Sequence, residues 1–362
     1  MKTTRFFVFL FLLRLTAVGQ GVNFTQGNLR TVFDGAKAND KAVFIEVYSP
    51  TCHVCTSFGP TFANASVGKF YNDKLVSYRL DVDSPEAQGF LVKQRIFVPT
   101  LPLFLFFDKD VRLLHALNVN NTPGDLVAAA GDALRPLSRA AGYKGRFQQG
   151  ERDPNFLVGY AAFSRIIRDT VANLAAVNAY VKTLPVGDYA NNTNFLVLQQ
   201  LVMDTDNPLF QYFISHLNAY QKQHGVKPVR DLAGSIVMGT LFSGRAAKFT
   251  PAKVRTLGTY LAKTGLDQRT VENRTLVPEL TALMRTNQTA QAVERANRYL
   301  SSPSSGPREA LFLAKFITER TTDAAARKAA QGWLNRFLNK PTTTPEEKRD
   351  LARSLKAISS KP

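Results

Sequence analysis

Two cysteines, Cys52 and Cys55, occur in the 362 residues, and only His53 and Val54 separate them. A dithiol at this spacing can cycle between a reduced pair and an intramolecular disulfide. One thiolate attacks a sulfur of another disulfide, and the second resolves the mixed disulfide that results. Zinc binding would need further ligands at a regular spacing, which the four histidines, His53, His115, His216 and His224, do not supply. A purely structural bridge would close so short a loop that it would staple almost nothing. Redox exchange is therefore the chemistry these residue types support. Cys52 is the expected nucleophile, because it opens a helix whose free amides and dipole favour a thiolate. Cys55, one turn further in, is the expected resolving thiol. His53 lies between them at the helix start. As an imidazolium it would favour the Cys52 thiolate and make the pair more oxidising; turned to solvent it would tune little.

The pair must be held by a strand and a helix. Ala42 to Val47 is an apolar run that reads as a buried strand, broken by Ser49-Pro50, and a helix follows the cysteines with Pro60 kinking it. Upstream, 28–38 reads as a helix. Downstream come a strand over 75–80, a helix over 84–92 opened by Ser-Pro-Glu, and an apolar strand over 101–107. A turn at 108–110 then leads to a return strand over 111–117 and a helix from Thr122 to about Leu134. The pattern is βαβα, then a hairpin and a terminal helix, an α/β domain spanning 20–135.

These motifs resemble the thioredoxin superfamily over residues 28 to 135. The run Phe44-Ile45-Glu46-Val47-Tyr48-Ser49-Pro50-Thr51-Cys52 is especially similar to the active-site strand of protein disulfide isomerase domains. Pro60, Asp81-Val82-Asp83 and Val98-Pro99-Thr100 follow in matching order. The resemblance implies a thioredoxin fold, a mixed central sheet flanked by helices. It implies that Glu46 is a buried carboxylate accepting the proton of the resolving cysteine. Burial in an apolar strand would raise its pKa toward neutrality. It implies that Pro99 is cis and packs beside the cysteines, with Val98 offering backbone groups to an extended substrate chain. Thr51 stands where the family usually carries an aromatic residue, and His53-Val54 is not one of its common dipeptides. The resemblance thus implies thiol exchange and leaves its direction open.

From 136 to 362 no strand pattern appears. Helical segments broken by proline, glycine and asparagine read as an all-helical C-terminal domain of helical hairpins, with a Ser/Pro/Gly linker near 301–307. Gly150 to Leu157 and Asp204 to Gly225 bear a looser resemblance to regions that follow thioredoxin-like domains in exported proteins of Bacteroidetes-like bacteria. Partner docking, dimerisation and simple scaffolding are the roles open to this part.

Residues 1–19 read as a cleaved signal peptide, with Lys2 and Arg5, an apolar run from Phe6 to Leu13, and Ala17-Val18-Gly19. The expected location is the periplasm or beyond, where disulfide chemistry has substrates. Formal net charge is +18, which fits a solvated basic surface or contact with an anionic surface or acidic partner. Arg245, Lys248, Lys253, Arg255, Lys263 and Arg269 make one segment conspicuously positive and read as a solvated face. Stacking aromatics are not interleaved with them, so nucleic acid is not an expected partner. Six Asn-x-Ser/Thr sequences, at Asn23, Asn64, Asn120, Asn191, Asn273 and Asn287, could accept glycans in a eukaryotic secretory route. The expected function is an exported thiol–disulfide oxidoreductase, without cofactor or metal, acting on cysteine-containing envelope proteins and served by a separate redox partner. The competing reading is a binding or scaffold protein whose helical part docks a partner and whose cysteine domain is a redox sensor or a vestige.

Overall fold

A computed structural model describes residues 21–135 and 139–359. The expected signal peptide lies outside the described residues. The chain divides into two compact units, one ending at Tyr180 and the other beginning at Val181.

The first unit is built on a mixed four-stranded sheet of order β2-β1-β3-β4. Its elements begin with α1 (Leu29–Ala38), β1 (Ala42–Tyr48), α2 (His53–Ser57), α3 (Gly59–Phe62), α4 (Ala65–Lys74), β2 (Leu75–Asp81) and α5 (Pro85–Lys93). They continue with β3 (Leu103–Phe107), β4 (Leu113–Leu117), α6 (Pro123–Ala133), α7 (Arg139–Gln148), α8 (Pro154–Ile166) and α9 (Thr170–Val181). β1 is parallel to β2 and antiparallel to β3, and β4 runs antiparallel to β3 at the edge. Side-chain oxygens start the helices: Asn28, Asn64, Ser84, Thr122 and Asp153 each accept an amide from the first turn that follows. Asn64, one of the Asn-x-Ser/Thr positions, is thus the N-cap of α4.

β1 is buried on both faces because helices cover both. Strand alternation puts Phe44 and Glu46 on one face and Val43, Ile45 and Val47 on the other. Phe44 meets Phe104, Phe106, Tyr71 and Phe62, ring to ring, under α2–α4 and α6. On the opposite face Phe107 of β3 packs on Phe33 of α1 and Phe90 of α5. Each such ring contributes roughly 1.5–3 kcal/mol by burial, enough to fix which face of β1 points where.

Residues 21–25 form a strap beside β2. Phe24 bridges to Ser77 in the parallel sense, and the Thr25 N–H donates to the Ser77 carbonyl at 2.8 Å. The Val22 N–H donates to the Phe62 carbonyl at 2.8 Å, and Asn72 Nδ2 donates to the Gly21 carbonyl at 3.0 Å. Gly21 runs so close to the end of α3 that a Cβ there would lie 2.7 Å from the Ala63 Cα.

The division between the two compact units falls after Tyr180, later in the chain than the end of the α/β domain expected at 135. The reason is edge coverage: α7 and α8 pack against β4, and His115 of β4 lies against the rings of Tyr143 and Phe163. The segment after Asp153 forms two helices, α8 and α9, parted where Arg168 takes a left-handed φ of 58°.

The second unit continues with α10 (Asn192–Gln200), α11 (Pro208–Ser215), α12 (Leu217–His224), α13 (Val226–Leu241) and α14 (Pro251–Lys263). α15 (Gln268–Arg285), α16 (Thr289–Leu300), α17 (Pro307–Thr318), α18 (Ala324–Leu338) and α19 (Pro345–Ser359) complete it. From α10 onward most helices pack on the next in the chain, as expected of helical hairpins. Thr344 and Glu347 form a reciprocal capping box at the start of α19. The 301–307 stretch is a tied turn, with Ser305 buried and its hydroxyl donating to the Tyr299 carbonyl at 2.8 Å. The basic segment is largely paired and not a free solvated face. Arg245 binds Asp204 and Asp206, Lys253 binds Asp206, Arg255 binds Glu279, and Arg269 faces Glu272.

Candidate dithiol site

The site forms where β1 ends. Beyond Tyr48, Ser49 is buried and organises the turn. Its carbonyl accepts the Cys52 N–H at 3.0 Å, and its hydroxyl lies 3.1 Å from the Thr51 hydroxyl. Cys52 and Cys55 are joined in a disulfide, with Cα atoms 5.3 Å apart. Cys52 is the N-cap of α2: its Sγ accepts the Cys55 N–H at 3.1 Å, the place a serine oxygen usually fills. Cys52 is half-buried and Cys55 fully buried, the asymmetry expected of an attacking and a resolving thiol. His53 is exposed in the first turn of α2, and its carbonyl accepts the Thr56 hydroxyl. Val54 beside it is 58% exposed, so the dithiol is bordered by an uncovered apolar side chain.

The helix after the cysteines is broken rather than kinked. α2 hands over to α3 at Phe58, with Pro60 exposed in the first turn of α3, and α4 restarts after Asn64. Asn121 ties the end of α2 down. Its Nδ2 donates to the Ser57 carbonyl at 2.8 Å, and its Oδ1 accepts the Thr61 hydroxyl at 2.6 Å.

Glu46 is fully buried on the face of β1 that carries the cysteine helix. Its register partner Phe104 lies 5.3 Å, centroid to centroid, from Phe58, one turn beyond Cys55. Its partner on β2 is Arg79, whose Nε donates to Glu46 Oε2 at 2.7 Å. Glu46 Oε1 has no hydrogen-bond partner. Burial pushes the Glu46 carboxyl above its ordinary value, and the Arg79 charge pulls the other way without cancelling it. The Arg79 guanidinium carbon lies 4.3 Å from the Tyr48 ring centroid and 5.7 Å from that of Phe24.

The proline expected to be cis is corrected by the structure. Among the described residues the cis peptide bond is Leu101–Pro102, and Val98–Pro99 is not cis. Pro102 is buried and directly precedes β3, where Leu103 pairs with Val47 at the end of β1 that leads to Cys52. Pro102 therefore occupies the sheet end that the cysteines share. Pro99 and Val98 lie three and four residues earlier, in the loop after α5. This loop is fastened at Phe97, whose N–H donates to the Ile166 carbonyl of α8 at 2.7 Å and whose ring lies under Arg165 and Arg168.

The sequence reading missed Arg79, Tyr48, Ser49 and Pro102. Two signals were present: an arginine at an alternating position of the 75–80 strand, and a proline abutting the apolar run of β3.

Among the described residues no group of His, Cys, Asp or Glu side chains could hold a metal ion, and no helix is long and apolar enough to cross a membrane. The chain matches no protein-family model and no curated protein.

Proposed function

We propose that the protein is a thiol–disulfide oxidoreductase built on a thioredoxin-like domain, exported, and acting on cysteine-containing proteins. The observation that carries the reading is the Cys52–Cys55 disulfide at the end of β1, half-buried at Cys52 and buried at Cys55, with buried Glu46 on the face beneath. The sheet order, with β1 central, parallel to β2 and antiparallel to β3, supports the fold assignment, as does the cis proline entering β3.

In the oxidised form a substrate thiolate attacks the half-buried Cys52 sulfur. An S–S bond forms between substrate and Cys52, the Cys52–Cys55 bond breaks, and Cys55 leaves as a thiolate. A second substrate thiolate then attacks the substrate sulfur, so the substrate gains a disulfide and Cys52 leaves reduced. Two electrons pass from substrate to protein. In the reverse direction the Cys52 thiolate attacks a substrate disulfide. Cys55 gives its proton to the Glu46 carboxylate and attacks Cys52, and Glu46 returns the proton to the departing substrate thiolate. Leu101, in the segment entering β3 at the sheet end that leads to Cys52, takes the backbone role first expected of Val98. Val54 offers the apolar edge against which a polypeptide lies.

The test is a redox titration of the purified protein against glutathione and dithiothreitol couples, with reduction of a model disulfide measured alongside. A reversible two-electron transition lost in Cys52→Ser is expected. A protein that exchanges with neither reagent would overturn the reading.

A further inference from the structure

We propose that the strap 21–25 belongs to the dithiol site, because Phe24 and Tyr48 clamp the Arg79 guanidinium over Glu46 and make Phe24 a positioning residue for the proton acceptor. Its functional meaning rests on the oxidoreductase reading; the geometry does not.

The Arg79 side chain is 38% exposed. A long arginine at such a place keeps many rotamers, and holding one of them costs entropy that a solvated ion pair scarcely offsets. Yet Arg79 is set at 2.7 Å from Glu46, with one ring on β1 and another on the strap facing its guanidinium. Cation–ring attraction operates within about 6 Å of a centroid, so both rings act. Phe24 is itself fixed. It stands edge-on to Phe62 at 5.2 Å and against Phe44 at 6.4 Å, and its backbone bridges Ser77, two residues before Arg79 on β2. β2 is an edge of the sheet, and the strap supplies there the ring that a further strand would not. The elements packed around Glu46 bring these titratable or charged groups: Arg79 and, two residues on along the same face, Asp81 from β2, Tyr48 from β1, the cysteine pair and exposed His53 from α2, Tyr71 from α4, and Asp132 from α6, which is paired with Arg135. The strap brings no charge. Its effect on Glu46 runs through Arg79, and loosening the guanidinium leaves the buried carboxylate harder to form.

The test is a carboxyl titration of Glu46 by carbon-13 NMR in the full chain, kept in the disulfide form so that the cysteines do not titrate. Phe24→Leu keeps apolar bulk against Phe62 and removes the ring; Phe24→Met, made in parallel, covers the case in which leucine does not pack. The Glu46 midpoint rises by about half a pH unit in either, the size of one cation–ring contact at a part-exposed site. It stays in place in Phe24→Tyr. It rises further in Arg79→Ala, where adding Phe24→Leu moves it no more. An unmoved midpoint in the folded Phe24 variants overturns the clamp, as does an equal rise with and without Arg79, which would mean packing alone. Exchange assays on the same proteins keep the two readings apart. A moved midpoint without thiol exchange sinks only the proposed activity, and exchange with an unmoved midpoint sinks only the clamp.

Discussion

Replacing Glu46 by methionine stabilises the first unit at pH 8 while impairing the exchange reaction. Burial raises the Glu46 pKa, so the native state holds its proton more tightly than the unfolded chain does. The sign follows by linkage. The stability contributed by the protonated form is complete below the ordinary glutamate range and is lost as pH rises through that range toward the folded value. Above that folded value the native protein carries a buried carboxylate with Oε1 unsatisfied, which costs about 1–3 kcal/mol. Against this stands one charge-assisted bond to Arg79, screened because Arg79 is more than a third exposed, and worth about 1 kcal/mol or less. Methionine keeps the chain length, removes the charge and leaves Arg79 stacked on Tyr48 with access to water. The expected gain is about 1 kcal/mol at pH 8, or about 2–4 °C in melting temperature for a unit of this size, shrinking toward zero near pH 4. On the proposed mechanism the resolving step slows by roughly tenfold or more, because Cys55 would lose its proton acceptor. Trp333 lies in the second unit, so fluorescence does not follow this change. Hydrogen exchange of the β1 and β3 amides does. A variant less stable than the parent at pH 8, or a gap that does not narrow with acid, would refute the reasoning.

Three further outcomes are expected. Cys55→Ala accumulates mixed disulfides with substrate proteins through Cys52, separable on non-reducing gels, whereas Cys52→Ser accumulates none. A chain ending at Leu134 loses the α7 and α8 cover of β4 and aggregates, while one ending at Tyr180 gives a cooperative melt; soluble, cooperative behaviour of the shorter chain would show that the cover is dispensable. Asp204→Ala destabilises the second unit by about 2–3 kcal/mol, followed through Trp333 in urea, because its fully buried carboxylate is one of the two that hold Arg245.

The strands were legible because their apolar runs are short and bounded by turn residues. The observed β1 and β2 extend the expected ones by a residue, through Tyr48 and Asp81. Caps were legible for the same local reason, as at Thr122 and Thr344. Register was not. That Arg79 stands opposite Glu46 depends on how two strands slide past one another, and no local pattern carries it. Val98-Pro99-Thr100 resembles the family's loop in sequence, but the place of the cis proline is set by where β3 begins, and that strand runs over Leu103–Phe107 rather than from 101. Helix breaks at Phe58, Arg168 and His216 were hidden because the apolar stripe runs through them. The domain boundary was drawn where strands ceased, although the edge strand β4 still needed cover from helices further on.

The fastening of Phe97 to Ile166 joins two chemically unrelated regions. The loop that ends at Pro102 cannot move away from α8 without giving up this hydrogen bond and uncovering the Phe97 ring that Arg165 and Arg168 overlie. The course of the segment entering β3 is therefore set by α8 as well as by the sheet.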